Sequence, residues 1–154
     1  MILPPYRIAD SCIPGAGKGL FLQAPVARGR VVVAPDDIRG TQRWEQVRAR
    51  PDAEAAMAAS VRWFEDQCTV SLDWPDECFV NHSFEPNGLW HLGFIFAARD
   101  LAAGEELTVD YRHLLTEGET AVFRDAGSGR EIVGFSWPES LARSSRALVA
   151  LQDA

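Results

Sequence analysis

The feature that most limits the fold is how quickly each apolar run is cut short. From Tyr6 to Ala34 the runs are Tyr6-Arg7-Ile8, Leu20-Phe21-Leu22 and Val31-Val32-Val33. They are separated by Ile13-Pro14-Gly15-Ala16-Gly17-Lys18-Gly19 and by Ala27-Arg28-Gly29-Arg30. A helix cannot keep an apolar face across such interruptions, because proline removes a backbone donor and glycine costs backbone entropy. Short strands can, since Gly and Pro then fall at the turns. The N-terminal third reads as brief strands joined by tight turns.

The middle changes character. Thr41 is placed to cap a short helix carrying Trp44 and Val47, which Pro51 ends. Asp52 can cap a second helix, in which Met57, Val61 and Phe64 fall at i, i+4 and i+7 and read as a core-facing stripe. Cys68 to Asp73 alternates as a strand, and Leu89 to Arg99 reads as a longer one. Asp100 to Gly104 is a turn. Leu107, Val109 and Tyr111 then share one strand face, with Thr108 and Asp110 on the other. In the tail, Phe135, Trp137 and Pro138 precede an amphipathic helix from about Pro138 to Leu151. The fold class is mostly β with helical inserts.

Composition narrows the function. The 154 residues suffice for one domain, and 47% hydrophobic with 24% charged residues is the balance of a soluble globular protein. The net charge of −7 argues against direct nucleic-acid binding, which needs a basic face, and favours basic partners. No apolar run approaches the roughly 18 residues of a membrane span. The first residues, Met1-Ile2-Leu3-Pro4-Pro5, lack the basic and apolar regions of a secretory leader. Cys12, Cys68 and Cys78 are odd in number and widely spaced, which suits reduced thiols and a cytoplasmic setting.

Three segments could carry chemistry. Gly15-Ala16-Gly17-Lys18-Gly19 lets backbone groups approach a ligand without an intervening Cβ. It is neither a P-loop, since Gly19 follows Lys18, nor a dinucleotide fingerprint, since the third glycine is misplaced. Phe79-Val80-Asn81-His82-Ser83-Phe84-Glu85-Pro86-Asn87 is rich in side chains that hydrogen-bond their own backbone and reads as an elaborate loop or a ligand cradle. Gly104-Glu105-Glu106-Leu107-Thr108-Val109-Asp110-Tyr111 ends on a ring whose hydroxyl can reach a cleft. Each also has a plainer reading: a flexible turn, a hydrogen-bonded loop histidine beside a turn-forming asparagine, and a core tyrosine.

Taken together, in this order and spacing, the three segments resemble the SET-domain protein-lysine methyltransferase family. Phe96-Ala97-Ala98-Arg99-Asp100-Leu101 is similar to the family's strand before its Gly-Glu-Glu-Leu turn. The resemblance runs from about Tyr6 to Leu114. It implies a single SET domain over 1–154, with a core at about 6–114, a helical insert at about 41–66 and a C-terminal flank at about 115–154. It implies a β-clip fold in which the Asn-His and Tyr segments form a pseudoknot. It further implies S-adenosyl-L-methionine as methyl donor and a lysine of a basic protein or peptide as acceptor. By the same resemblance Ala16, Gly17 and Lys18, with Gly19 closing the turn, hold the donor's methionine end. Asn81 joins them through its side chain, the backbone of His82 holds the adenine, and Tyr111 is the catalytic residue between donor and lysine. By analogy with members that use a C-terminal aromatic, Trp137 forms a lid over the donor.

The chemistry suits those roles. Methyl transfer is an in-line displacement, so alignment supplies much of the catalysis. Oxygen dipoles can hold the methyl group by weak C–H···O contacts. The lysine must lose its proton, and an apolar channel favours that. Two departures from the family pattern stand out. Phe84 sits where the family often has Cys, and the segment Ala34 to Gly40 lacks the tyrosine of a Tyr-x-Gly element. The zinc-binding cysteine flanks are missing as well, so no metal is expected. An alternative is a catalytically weak or inactive SET-like module that binds cofactor or a protein partner. A hydrolase built on Ser83, His82 and Asp110 and a metal site from His82, His91 and His113 are further readings, disfavoured by spacing. A homodimer that completes a substrate groove is compatible with so compact a chain.

Overall fold

Among the described residues twelve strands form, and none exceeds five residues. The computed structural model describes residues 1–35 and 40–152. β1 (Tyr6–Asp10) and β2 (Lys18–Leu22) form an antiparallel hairpin around the glycine-rich turn. β3 (Val31–Val33) follows. The insert holds β4 (Gln42–Arg43), α1 (Trp44–Arg48), α2 (Ala53–Ala58), β5 (Ser60–Phe64) and β6 (Gln67–Val70), with the strands in the order β4-β6-β5. β7 (Asn81–His82), β8 (Gly88–His91), β9 (Phe94–Ala97) and β10 (Thr108–Val109) complete the centre. β3-β9-β8 form one sheet, and β7 lies parallel to β10. β11 (Thr120–Arg124) and β12 (Glu131–Val133) form a last hairpin before α3 (Trp137–Ala150).

The main core gathers Leu20, Leu22, Val32, Ala97, Leu101, Leu107 and Val109, all nearly inaccessible. The short strands thus share one apolar centre although no sheet is wide. A smaller cluster of Val47, Ala56 and Cys68 sits under the insert.

Several expectations are corrected. Thr41 caps nothing; α1 starts after Arg43, whose backbone N–H donates to Gln46 Oε1 at 2.8 Å. Asp52 does precede α2, but its side chain accepts no capping bond. The helical stripe breaks at Ala59, and Val61 and Phe64 belong to β5. Pairing with β6, in the register Val61↔Thr69 and Arg62↔Cys68, overrides the local alanine-rich preference. Leu89 to Arg99 is not one strand but the β8–β9 hairpin. It turns at Leu92 and Gly93, both left-handed, and a Cβ at Gly93 would lie 2.0 Å from the Trp63 ring. Tyr111 has left the strand for a 3₁₀ turn, Tyr111–His113, which Asp110 caps by accepting from the Arg112 N–H. Asp110 itself is buried. The strand expected at Cys68 to Asp73 ends at Val70. The final helix is close to its expected bounds, and Ser136 caps it.

Arg62 binds the insert to the C-terminal flank. Only 2% exposed, it donates from Nη1 to the Phe135 carbonyl at 2.9 Å and from Nη2 to the His113 carbonyl at 3.1 Å. Two buried serines of α3 complete the docking. Ser140 Oγ lies 2.8 Å from His113 Nδ1, and Ser144 Oγ lies 2.9 Å from His91 Nδ1.

Candidate active site

The glycine-rich turn needs its glycines. Gly15 and Gly17 adopt φ of 79° and 74°, a region that side-chain-bearing residues rarely occupy, and a Cβ at either would meet nothing within 4 Å. The turn therefore leaves its backbone unobstructed at these two positions. The Lys18 side chain points away to Asp10, at 2.7 Å, which leaves only its backbone on the turn.

Asn81 meets this turn across the fold. Its Nδ2 donates to the Lys18 carbonyl at 2.8 Å and to Glu106 Oε1 at 2.9 Å. Glu106 arrives because the Gly104–Leu107 segment runs along β2. The Leu22 N–H donates to Glu105 O, and the Leu107 N–H donates to Leu20 O. Asn87 fixes the same segment from the other side. It donates from Nδ2 to Glu106 O at 2.8 Å and accepts at Oδ1 from the Thr108 N–H at 2.8 Å.

One residue beyond Asn81, the backbone of β7 splits its two edges. The Ser83 N–H donates to Val109 O on the β10 side. In a strand the preceding residue directs its backbone groups the opposite way, so the His82 backbone faces the edge of β7 that no described strand pairs with. The His82 ring is turned inward. Its Nδ1 accepts from the Tyr111 N–H at 3.1 Å, so Nε2 carries the proton. That Nε2 is buried without a hydrogen-bond partner and lies 3.9 Å from Asp125 Oδ1. Burial lowers the His82 pKa below the ordinary histidine value, opposed by the charges of Asp110 and Asp125.

Tyr111 is held at both ends. Its N–H is on the His82 ring, and its hydroxyl donates to the Val80 carbonyl at 2.7 Å. Desolvation raises its pKa well above the usual phenol value, so the hydroxyl stays protonated. Phe123 of β11 stands edge-on to the Tyr111 ring, with centroids 6.1 Å apart, and Phe123 itself is half exposed.

Phe84, next but one to His82, lies between two guanidinium groups, Arg112 at 4.7 Å and Arg130 at 4.5 Å from its centroid. Arg112 also covers Phe135 at 4.7 Å, and Arg143 of α3 lies over the same ring at 4.8 Å. Bidentate bonds to Asp110 fix Arg112 in the middle of this ladder.

The structure thus brings together the turn residues Ala16, Gly17, Lys18 and Gly19 with Asn81, and joins His82 to Tyr111. It places Trp137 elsewhere. That indole opens α3 and lines a cavity of about 320 Å³ with Arg62, Glu65, Asp66, Thr116 and Glu117. Ser83 Oγ accepts from the Glu85 N–H, and Asp110 is committed to Arg112, so Ser83, His82 and Asp110 form no hydrolase relay. Among the described residues no group of three His, Cys, Asp or Glu side chains is arranged to hold a metal ion, and no helix is long and apolar enough to cross a membrane. In the Ala34 to Gly40 stretch, residues 36–39 lie outside the described residues. The reading of the sequence missed Glu106 and Asn87 as parts of the site. Both stand inside the motifs named above, but only the pairing of β2 with the Glu106 segment aims Glu106 at the turn and sets Asn87 behind that segment.

With this geometry in place, the comparisons with known proteins are informative. A family model, SET domain, matches residues 17–112. That is more than half of the chain, which therefore belongs to the SET-domain family. Its members are typically protein-lysine methyltransferases that use S-adenosylmethionine. Among solved structures, apo ctPRC2 with two substitutions in Ezh2 is similar with a TM-score of 0.54 at 17% identity, covering 70% of this chain and 15% of that one. ctPRC2 in complex with H3K27me3 and H3K27M gives 0.52 at 17% identity, covering 70% and 14%. At such identity the likeness is one of fold, and this chain spans a small part of those polypeptides. No curated protein matches.

Proposed function

We propose that this protein transfers a methyl group from S-adenosylmethionine to the side-chain amine of a lysine in a basic protein. One observation carries the reading. Val80 and Asn81 are consecutive, yet Val80 O receives the Tyr111 hydroxyl while Asn81 reaches the open glycine turn. The group that would hold the donor and the group that would face the acceptor are one peptide apart.

The residues suit the donor. The turn offers backbone unobstructed by Cβ atoms. Asn81 Oδ1 has no donor among the described residues and is free to accept from a ligand's ammonium. The outward edge of β7 leaves the His82 backbone for the adenine. When bound, S-adenosylmethionine supplies an electrophilic methyl on a sulfonium.

On the acceptor side, Tyr111 and Phe123 give an apolar wall, which disfavours an ammonium and favours the neutral amine. The Tyr111 hydroxyl and the Val80 carbonyl place oxygen dipoles at its foot, and their rigidity aligns the reacting groups. The net charge of −7 steers basic targets toward the protein.

A second reading has its own support. The segment Ala34 to Gly40 contains no tyrosine, so a second hydroxyl from that element is missing. A module that binds the donor without transferring methyl would fit. Calorimetric titration with S-adenosylmethionine and S-adenosylhomocysteine tests the pocket. Transfer of labelled methyl to a panel of basic proteins, with Tyr111→Phe as control, tests the reaction. Binding with transfer supports the enzyme, binding alone supports the module, and neither result sinks both.

A further inference from the structure

We propose that Glu106 is the positioning residue of the donor site: its carboxylate sets which end of the Asn81 amide faces the cleft, and so selects a ligand bearing an ammonium. The inference rests on the donor-binding reading above and adds to it the origin of the selectivity.

Glu106 crosses beneath the glycine turn, holds it at two points and ties it to Asn81 by a third bond. Oε1 accepts from Ser11 Oγ at 2.6 Å and from Asn81 Nδ2 at 2.9 Å, and Oε2 accepts from the Cys12 N–H at 2.8 Å. Ser11 extends the network, since its Oγ accepts from the Ile13 N–H at 3.0 Å. The carboxylate passes where a side chain at position 19 would stand. A Cβ on Gly19 would lie 2.2 Å from Oε1, so glycine there makes room for Glu106 rather than for a turn.

The polarity of Asn81 follows from its neighbours. The Lys18 carbonyl and the Glu106 carboxylate are both acceptors only, and the Ser11 hydroxyl, 3.3 Å from Nδ2, has its proton on Glu106 and can only accept. A carboxamide that offered them its oxygen would set lone pairs against lone pairs. The nitrogen must face them, and Oδ1 then faces outward as an unused acceptor. An ammonium donates to that oxygen, and the nearby negative carboxylate favours it further. Without Glu106 the amide loses the only charged one of the three groups that hold it, and the Ser11–Lys18 turn loses its strap.

The test uses the whole chain with Glu106→Ala, Glu106→Gln and Ser11→Ala. In the ligand-free protein, amide hydrogen exchange at Cys12 is expected to rise about tenfold in Glu106→Ala, the loss of one charge-assisted bond. Titration then compares S-adenosylhomocysteine with its analogue lacking the α-amino group. Glu106→Ala is expected to weaken the first by about tenfold and the second by less than about twofold, with Glu106→Gln in between. A folded Glu106→Ala that binds both ligands as the parent does, or weakens both equally, overturns the proposal. Should Glu106→Ala fail to fold, the isosteric Glu106→Gln and Ser11→Ala carry the same comparison, and their matching the parent in both readouts overturns it. A parent protein that binds neither ligand sinks the donor reading itself, which is distinct from a parent that binds and a variant that does not discriminate.

Discussion

The two walls of the candidate site are built differently. The proposed donor wall, made by the β1–β2 turn, Asn81 and Glu106, is strapped by short hydrogen bonds that end on one carboxylate. It stands directly on the main core through Leu20 and Leu107. The proposed acceptor wall, made by the β11–β12 hairpin and the start of α3, buries Ile132 but has little further core of its own. Val122 is fully exposed and Phe123 is 48% exposed. What holds it are stacked rings and guanidiniums, the near approach of Asp125 to His82, and the two bonds of Arg62. Directional bonds fix atoms to fractions of an ångström, whereas stacked faces tolerate sliding. Under the proposed function, the donor side is therefore preformed, and the acceptor side adjusts to a peptide.

This contrast can be broken at several points. The largest effect is expected at Arg62. Arg62→Met leaves the Phe135 and His113 carbonyls unpaired in the interior and should cost about 2–4 kcal/mol in urea denaturation. A loss under about 1 kcal/mol would show that the flank is held by its stacked rings alone. Next comes Tyr111→Phe, which removes the hydroxyl on Val80 O. Methyl transfer should slow by about tenfold or more, with donor affinity within about twofold. A parallel loss of donor affinity would mean that the two walls are not separable.

Acidification should weaken the fold moderately. Burial lowers the pKa of His82, His91 and His113 below the ordinary histidine value. As pH falls through that value the unfolded chain takes up protons that the folded chain refuses, so stability is full above it and declines below. Melting temperature recorded from pH 8 to pH 5 checks this, and a flat profile would contradict it. Two of these histidines hold α3 through Ser140 and Ser144, so the flank should loosen first, visible as earlier exchange of α3 amides.

Smaller effects sharpen the distinction. Phe123→Ala should raise KM for a basic peptide by about threefold and leave the donor Kd unchanged, because the ring is half solvated and touches Tyr111 only by its edge. Trp137→Ala should leave donor affinity within about twofold, since the indole faces the Arg62 cavity. A greater loss would return the indole to the donor site as a lid.

Several residues that meet at the candidate site stand out in the sequence itself. The glycine spacing, the Asn81-His82 pair and Tyr111 are local motifs, and local motifs survive as written letters. The same letters misled in the insert. The alanine-rich run through Val61 and Phe64 carries a helical period, yet β5 pairs with β6 there because ladder bonds and a buried Arg62 outweigh a propensity of fractions of a kcal/mol per residue. The Leu89 to Arg99 run held the turn residue Gly93 in plain view, but only contact with Trp63 shows why that glycine is required.

The sequence by itself determined the short strands, the acidic balance and the residue types available for chemistry, since each follows from neighbours along the chain. The tertiary structure decided which of them meet. Ser11, Gly19, Asn81 and Glu106 come from three separate stretches, and no periodicity links them. Their meeting follows from strand pairing over long separations, where the free energy lies in a shared core and not in any segment alone.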